Sequence, residues 1–494
     1  MSARRGAALL TLASVLFLAL NLVTATRYPA PWVDEIQFGD PAVNLALHGE
    51  FSSTVWIVQT AHEFWAGNTP LYPYLLAQWL RLFGVSPMAA RSFNYVLVIF
   101  AGWLFWILLR RTGVVLSEGW RLTAVLLFWT AQGVTFCYRM GRYDVTGMVL
   151  FLLAALVWTA PDGALSSLAL FVIATLFPLA GLQLIPSSAL LCLVLVLFLG
   201  WPALRRAAAL GAGVLAGIGL LYLLYAQHGV WQAFRASTSA VGTIGAGIAG
   251  KLRGLPGIYA GDKSMLLLLL VAGLLLLTIP SLRRTWRKQP LIFGIAVAIV
   301  VPTALQLAAK FPIYYAWMAL LPLLAGVISA LERSAPSKPV RACALVGLVL
   351  ASAVGLPARL AVVAVNWDSR SLAPIDRFVA ANIAPEDVVV GDFKAYYALK
   401  TRVRAYYAHT YVGIMTAEER RSVNVLLLRD RAAPAVQQAL GGSWIDTGLT
   451  MPGARTASKA ALRFLGDLRE EEYEVRLYRK APDTTRGSVA PPAP

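Results

Sequence analysis

Two adjacent carboxylates stand in the stretch Pro31-Trp32-Val33-Asp34-Glu35-Ile36-Gln37-Phe38. The stretch follows the first long apolar run, residues 7–23, at the point where a membrane helix would emerge into water. A charged group at the bilayer centre costs about 2.5–3.5 kcal/mol or more, so acids near a membrane lie at helix ends or in cavities. An isolated Asp-Glu pair could equally be a solvated helix cap or part of a functional site. The surrounding sequence has to decide between these two interpretations.

The composition of the whole chain is that of a membrane protein. Of its 494 residues, 58% are hydrophobic and 14% are charged, and the mean hydropathy is +0.65. Soluble domains of this length do not have such a composition. We therefore predict a polytopic α-helical membrane protein with about eleven transmembrane helices. The predicted spans are residues 7–25, 90–109, 122–138, 145–160, 164–180, 184–200, 207–226, 264–280, 291–309, 312–330 and 341–358.

The net charge of +18 comes largely from basic clusters on alternate connections between these spans. By the positive-inside rule those connections and the N-terminus are cytoplasmic. This interpretation explains the charge better than nucleic-acid binding does, because no soluble basic module is present. The first apolar run could also pass for a signal peptide, but we favour a retained helix that holds the acids at the membrane. The three cysteines all fall inside apolar runs, so we expect neither a disulfide framework nor a metal cluster.

The other connections face outward in this topology, and they carry nearly all the remaining polar residues. The first outer loop, residues 26–89, contains two segments with helix signals, one from Asp40-Pro41 to His48 and one over residues 70–83. Both are too short to cross a bilayer, so we predict interfacial helices, the second with an apolar face formed by Leu71, Leu75, Trp79 and Leu82. The Gly-rich outer loop 227–263 is either a mobile lid or a simple linker.

The composition becomes mixed after the last span. We predict a transmembrane domain over residues 1–360, an extracytoplasmic α/β domain over residues 361–480, and a disordered tail over residues 481–494. The α/β pattern consists of helices at 375–383, 393–399 and 432–440 and strands at 387–390, 423–428 and 472–478. No Gly-rich phosphate loop follows a strand, which argues against a nucleotide site.

A transferase at the outer face has no nucleotide supply, so its donor would have to be carried by the membrane. A lipid-linked phosphosugar fits, because its chain lies in the bilayer and its phosphate lies at the interface. Such chemistry needs a carboxylate to deprotonate an acceptor hydroxyl, and Asp34 and Glu35 are candidates. It also needs fixed cations for the phosphate, which Arg139, Arg142 and Lys310 could supply from outer helix ends.

Each of these residues has a simpler alternative. The three cations could reach only to lipid head groups, and Arg142 could pair with Asp144 as a structural clamp. Tyr314 and Tyr315 lie where tyrosine is enriched at membrane interfaces anyway. His62-Glu63 could bind a metal ion, but two adjacent ligands without partner spacing are more typical of a polar loop.

Several segments nevertheless resemble the GT-C glycosyltransferases, in particular the lipid A aminoarabinose transferases and the protein O-mannosyltransferases. The resemblance lies in Asp34-Glu35-Ile-Gln-Phe, in Asn68-Thr69-Pro70-Leu71-Tyr72-Pro73, in Tyr138-Arg139-Met-Gly-Arg142-Tyr-Asp144, and in Lys310-Phe-Pro312-Ile-Tyr314 with Leu321-Pro322. It implies an inverting transferase of the cytoplasmic (inner) membrane, part of cell-envelope synthesis, with a periplasmic active site and a polyprenyl-phosphate sugar donor. The acceptor would be a lipid, glycan or protein.

The resemblance also implies roles for individual residues. Asp34 would be the catalytic carboxylate with Glu35 beside it, and the donor phosphate would face Arg139, Arg142, Lys310, Tyr314 and Tyr315. Asp144, His62, Glu63 and Asn68 would be structural or substrate-contacting residues. The chain departs from the family at Asn68-Thr69-Pro70, where a Lys or His usually precedes Pro-Pro. No cofactor is indicated with certainty, and a divalent metal ion is left open.

Two other function classes stay open at this stage. A lipid-linked sugar transporter or flippase would have polar residues near span centres, broken helices or inverted repeats, and neither ionisable mid-span residues nor repeats stand out. A non-catalytic membrane scaffold descended from such enzymes would keep the fold without activity. A transfer assay with the purified protein separates both from the transferase.

Overall fold

The protein is described by a computed structural model, which covers residues 2–240, 248–284, 289–307, 315–451 and 474–482. It is mostly helical, with a small sheet near the C-terminus. The helices are α1 Ala3–Thr24, α2 Val33–His48, α3 Leu71–Phe83, α4 Pro87–Thr112, α5 Glu118–Thr130, α6 Gln132–Arg139, α7 Asp144–Trp158, α8 Ala164–Thr175, α9 Phe177–Ala180, α10 Leu184–Leu199, α11 Leu204–Gln227, α12 Trp231–Ala240, α13 Ile248–Arg253, α14 Leu255–Gly261, α15 Lys263–Thr278, α16 Pro280–Arg284, α17 Pro290–Leu307, α18 Trp317–Arg333, α19 Lys338–Ala353, α20 Leu356–Val365, α21 Ala373–Asn382, α22 Tyr396–Lys400, α23 Ala417–Ser422 and α24 Ala433–Leu440.

The membrane character predicted from the sequence is confirmed, whereas the number of crossings stays a prediction. Within the described ranges, four helices are individually long and apolar enough to span a bilayer: α1, α4, the segment Trp201–Gln227 and α17. The number rises to seven if each of three bent helix pairs counts as one span. All eleven predicted runs overlap a described helix. Many of these helices are shorter than the roughly 20 residues that an untilted span needs.

The helical bundle is closely packed at its centre. Gly294 of α17 and Gly326 of α18 face each other's backbones, since a Cβ at either position would come within 2.6 Å of a carbonyl oxygen on the other helix. Small residues at such crossings let two membrane helices approach closely. The crossing holds α18, which begins next to the candidate site, against the rest of the bundle.

A sharp bend separates α6 from α7. The two helices meet at 120°, and the four residues between them, Met140 to Tyr143, include Gly141 with a φ of +62°. A Cβ on Gly141 would lie 2.7 Å from the Glu35 Cγ atom, so the close approach to α2 requires glycine here. The bend turns α7 into the membrane and leaves Arg142 at its corner, beside the start of α2.

One prediction about the first outer loop is wrong. We expected Asp40 to cap a helix with Pro41 at its first position, but α2 begins at Val33 and contains Pro41 in its interior. The helix can begin earlier because Asp34 and Glu35 occupy its first turn, where the helix dipole favours negative charge. Asp40 is instead fully buried in a polar contact with the C-terminal domain. The end of the helix at Gly49 agrees with the prediction.

The second predicted helix of this loop exists as α3, but it buries another face. Tyr72, Leu76 and Leu80 are buried, whereas the predicted face includes Leu75, which is half-exposed, and Leu82, which is highly exposed. Periodicity could not tell a face packed on protein from a face in contact with lipid. The segment 227–263 also differs from the expected loop, because α12, α13 and α14 occupy much of its described part.

The predicted C-terminal α/β domain is confirmed as a mixed sheet with flanking helices. Its strands are β1 Val388–Gly391, β2 Ala405–Ala408, β3 Val425–Leu428, β4 Trp444–Met451 and β5 Val475–Lys480, in the order β2-β1-β3-β5-β4. The strands β2, β1 and β3 run parallel, and β5 is antiparallel to both β3 and β4. The sequence predicted β1, β3 and β5 but missed β2, which has only four residues, and β4, most of whose residues are exposed.

Candidate active site

The centre of the candidate site is a cation held between two carboxylates. The Arg142 Nη1 atom donates to the Asp34 Oδ2 atom, and the Arg142 Nε atom donates to the Asp144 Oδ2 atom at 2.8 Å. Gln183 adds a hydrogen bond from its Nε2 atom to the Asp144 Oδ1 atom at 3.3 Å. The side chains of Arg142 and Asp144 are 2% and 0% exposed, whereas that of Asp34 is 23% exposed. Asp34 is therefore the member of this cluster that a substrate can reach.

Glu35, the neighbour of Asp34, is held in a different way. Its two carboxylate oxygens accept hydrogen bonds from the Arg91 Nε and Nη2 atoms at 2.8 and 2.7 Å. The Tyr397 hydroxyl of the C-terminal domain adds a third contact at 3.3 Å. Arg91 is fully buried and Glu35 is 2% exposed. A buried bidentate pair of this kind fixes geometry, so Glu35 anchors the first turn of α2.

The turn between α6 and α7 is fastened by three side chains from the first outer loop and α4. The Trp32 indole donates to the Met140 carbonyl at 3.0 Å, the Tyr72 hydroxyl donates to the Gly141 carbonyl at 3.0 Å, and the Asn94 amide donates to the Arg142 carbonyl at 3.0 Å. Each of the three residues therefore holds one backbone carbonyl of the turn. Asp34 and Arg142, which lie far apart in sequence, are positioned by the same framework.

Arg139 lies in the same turn region but points elsewhere. Its guanidinium donates to the Asn21 Oδ1 atom at 2.8 Å and to the Thr24 Oγ1 atom at 2.9 Å, and also to the Tyr28 carbonyl. The side chain is fully buried. The structure thus brings Arg142, but not Arg139, against Asp34, and Arg139 ties α6 to the end of α1.

Tyr315, which lies two residues before the start of α18, reaches the site through Tyr143. The two hydroxyl groups are 3.0 Å apart, and the Tyr143 ring packs edge-on against Phe38 with centroids 4.8 Å apart. Phe38 lies one helical turn after Asp34 on α2, so Tyr315 joins the wall of the same site. Lys310 and Tyr314, the other two predicted phosphate contacts of this segment, lie outside the described residues.

His62, Glu63 and Asn68 have their described contacts away from the Asp34–Arg142 pair. His62 is largely exposed, with its Nε2 atom 3.5 Å from Glu419 of the C-terminal domain. Glu63 accepts hydrogen bonds from Thr60 in its own turn, and Asn68 accepts one from the Thr69 amide. The structure therefore brings Asp34, Arg142 and Asp144 together and leaves this group in the outer part of the loop.

The C-terminal domain contacts α2 beside the site through α22. Asp40 of α2, which is fully buried, accepts hydrogen bonds from the Tyr396 hydroxyl at 2.7 Å and from Ser53 at 2.8 Å, and its Oδ1 atom lies 2.8 Å from the Lys400 Nζ atom. Burial, and then the nearby charge of Glu35, raise the pKa of the Tyr397 phenol well above its ordinary value. Tyr397 therefore stays a neutral donor to Glu35 at physiological pH.

The sequence interpretation missed several of these partners as site residues. Arg91 was recognisable as a cation near the start of the apolar run 90–109. Gln183 was recognisable as an amide directly before the apolar run 184–200. Tyr397 and Asp40 gave no signal, because their contacts join segments more than 350 residues apart. Within the described ranges, no group of three or more His, Cys, Asp or Glu residues is arranged to hold a metal ion.

No protein-family model matches the sequence, and no curated protein matches it either. Solved structures do match. The crystal structure of ArnT from Cupriavidus metallidurans bound to undecaprenyl phosphate has a TM-score of 0.61 at 13% identity, covering 98% of this chain and 99% of that one. The apo structure of the same protein gives a TM-score of 0.60 at 14% identity, over 97% and 98% of the two chains.

This fold is that of the GT-C glycosyltransferases. The resemblance expected from the sequence is thereby confirmed at the level of the fold. A cryo-EM structure of the mycobacterial arabinofuranosyltransferase AftD matches with a TM-score of 0.45 at 15% identity, over 97% of this chain and 40% of that one. The ArnT matches extend over nearly the whole of this chain and so include both its helical bundle and its mixed α/β domain.

Proposed function

We propose that the protein is an inverting glycosyltransferase that moves a sugar from a polyprenyl-phosphate-linked donor to an acceptor hydroxyl or phosphate on the outer face of the membrane. The observation that carries the proposal is the partly exposed carboxylate of Asp34, fixed by Arg142 against buried Asp144 in a chain with the GT-C fold. The ArnT structure with undecaprenyl phosphate supports a polyprenyl-phosphate partner for this chain.

Asp34 is the proposed general base. For an acceptor hydroxyl, the proton passes to the Asp34 carboxylate while the oxygen forms a bond to the anomeric carbon of the sugar. The bond between that carbon and the phosphate oxygen breaks, and the polyprenyl phosphate departs with the electron pair. Attack from the face opposite the phosphate inverts the anomeric configuration. Glu35 is the less suitable base, because Arg91 and Tyr397 already occupy its oxygens.

The cations take different parts in this proposal. Arg142 orients Asp34 and contributes positive charge beside the reaction centre. Lys310 and Tyr314, with Tyr315 as the described end of that segment, remain the proposed contacts of the donor phosphate. Arg139 has the role of holding α1 to α6, in keeping with its bonds to Asn21 and Thr24.

The proposed topology places this chemistry on the extracytoplasmic side of the membrane. Eleven crossings with a cytoplasmic N-terminus put Asp34, the α6–α7 turn and the C-terminal domain on the periplasmic side of the inner membrane. The clusters of arginine between the predicted spans, such as Arg110-Arg111 and Arg205-Arg206, then face the cytoplasm. The sugar of a membrane-borne donor would then reach Asp34 at the interface.

The test is sugar transfer by the purified protein in lipid nanodiscs, with a panel of polyprenyl-phosphate sugars. Asp34→Asn should reduce the rate of transfer by about 10²–10⁴-fold, the usual contribution of a general base. Asp162→Asn is the matched control, because Asp162 is 54% exposed in the connection between α7 and α8. Near-normal transfer by folded Asp34→Asn would remove Asp34 as the base, and an inactive wild type on every donor would favour the transporter or scaffold alternatives.

A further inference from the structure

A half-open apolar cavity of about 250 Å³ lies between the helices of the bundle. It is bounded by α4, α7, α10, α17 and α18, and nearly all of its lining atoms are carbon. Representative wall residues are Leu109, Phe151, Ala155, Leu195, Phe293 and Leu321. A cavity with an almost entirely apolar lining offers few partners to ordered water and takes up apolar molecules.

The cavity lies toward the end of the bundle opposite Asp34. On α7 its walls run from Phe151 to Trp158, which is about 10 to 21 Å along the helix from Asp144 at a rise of about 1.5 Å per residue. On α4 its walls run from Phe105 to Thr112, whereas Arg91 at the other end of α4 binds Glu35. Along α4 and α7 the cavity therefore lies on the side away from the candidate active site, whereas on α10 it begins at Ser188, five residues after Gln183.

A second, polar pocket adjoins the cavity at that far end. The two share Thr112, Val114 and Pro290 as walls, and the polar pocket adds Arg333 and Ser334 from the end of α18. Arg333 is exposed and donates to the Gly113 carbonyl, which keeps its guanidinium beside the shared wall. A hydrocarbon cavity next to a cationic pocket at a helix end matches the two parts of an anionic lipid.

We propose that this compound pocket binds an anionic phospholipid from the leaflet opposite the active site, with one acyl chain in the cavity and the head group at Arg333. Its head-group end is distinct from the proposed donor site, because Arg333 and Thr112 lie at the ends of α18 and α4 that are far from Asp34. Bound lipid fills space that would otherwise leave the facing side chains of α7, α10 and α18 without contacts. The proposal depends on the membrane fold and not on the transfer reaction.

The test uses the full-length protein in nanodiscs that contain a phosphatidylglycerol with a photoreactive group in its acyl chain. Peptides of α7, α10 or α18 that line the cavity should be cross-linked, as mapped by mass spectrometry. Ala155→Trp should abolish those cross-links by filling the cavity, and Cys192→Phe serves as a second filling variant if the first fails to fold. Leu215→Trp, at an exposed position on α11, is the control that should retain them.

A separate experiment tests the head-group part of the proposal. Arg333→Gln should lower the preference for the phosphatidylglycerol probe over the matching phosphatidylcholine probe about fivefold, whereas Arg205→Gln, an exposed basic residue outside the pocket, should leave it unchanged. Equal labelling by both probes in the wild type would contradict an anionic-lipid site. Cross-links that persist in both filling variants would overturn the cavity assignment, as would displacement of the probe by polyprenyl phosphate, which would indicate a donor-tail pocket.

Discussion

At the scale of single residues, the two neighbouring carboxylates of the site differ in their exposure and in their partners. Asp34 keeps 23% of its side chain exposed and has one described ion pair, with Arg142. Glu35 is buried and accepts from both Arg91 and Tyr397. One backbone step on a helix turns the two side chains about 100° apart, so α2 presents Asp34 to substrate and buries Glu35 against α4. This geometry is the basis of the proposed roles of Asp34 as the base and of Glu35 as the anchor.

Arg142 is the residue whose chemistry is hardest to replace. Its planar guanidinium reaches Asp34 and Asp144 through separate nitrogens. A lysine ammonium has the same charge, but it has a single nitrogen and cannot hold two carboxylates in this fixed geometry. We expect Arg142→Lys to lower the rate of transfer by about 10²-fold, the effect of a small misplacement of a reacting group.

The measurement is steady-state transfer in nanodiscs, compared with Arg111→Lys at the far, exposed end of α4. If the Arg142→Lys enzyme kept the wild-type rate, positive charge alone would suffice and the orienting role assigned to the guanidinium would be wrong.

At the scale of elements, the contact between α2 and α22 joins the membrane bundle to the C-terminal domain. Asp40 and Lys400 are 0% and 5% exposed, with 2.8 Å between the charged atoms. Removing one partner of a buried ion pair costs about 3–5 kcal/mol, because the other charge is left without compensation. Removing both avoids much of that cost.

We therefore expect Lys400→Met to expose the interface more than the double variant Asp40→Asn/Lys400→Met does. Hydrogen exchange of the amides in α22 and in the first half of α2 measures this directly. The single variant should raise exchange in both segments, and the double variant should partly restore protection. Equal exchange in the two variants would show that the ion pair does not hold the domain in place.

The sequence predicted those parts of the fold that depend on local patterns of apolar and charged residues. Apolar runs located the long helices, and the position of Asp34, Arg142 and Asp144 at the ends of these runs on one predicted face suggested that they meet. The start of α2 was missed, because Asp40-Pro41 has the form of a helix start while Asp40 is used in a tertiary contact. The Glu35–Arg91 and Glu35–Tyr397 contacts could not be predicted, since they depend on how α4 and the C-terminal domain pack on α2.

At the scale of the whole molecule, the candidate active site and the exposed arginines at the ends of α4 and α18 lie at opposite ends of the bundle. The active-site cluster joins the first turns of α2, α4 and α7, while Arg110, Arg333 and their neighbours lie at the distal ends of α4 and α18. The positive-inside rule predicts that the distal ends are cytoplasmic. This separation fits a protein that reacts at one membrane surface and uses the other surface for orientation.

The orientation is tested by cysteine labelling with a membrane-impermeant maleimide. In a background with Cys343→Ser, Ser443→Cys in the C-terminal domain should be labelled in spheroplasts, whereas Ser337→Cys, which precedes α19, should be labelled only after permeabilisation. Both positions are exposed, so burial does not bias the comparison. The reverse pattern would place Asp34 in the cytoplasm and remove the argument for a membrane-borne donor.

The central claim is that a lipid-linked sugar reacts beside Asp34 and Arg142, and a structure with a non-transferable polyprenyl-phosphate sugar analogue tests it most directly. We predict that the lipid phosphate lies between Arg142 and the segment that leads to Tyr315, with the Asp34 carboxylate on the opposite side of the anomeric carbon. Density for the analogue at another end of the bundle, or an Asp34 carboxylate turned away from the sugar, would contradict the mechanism.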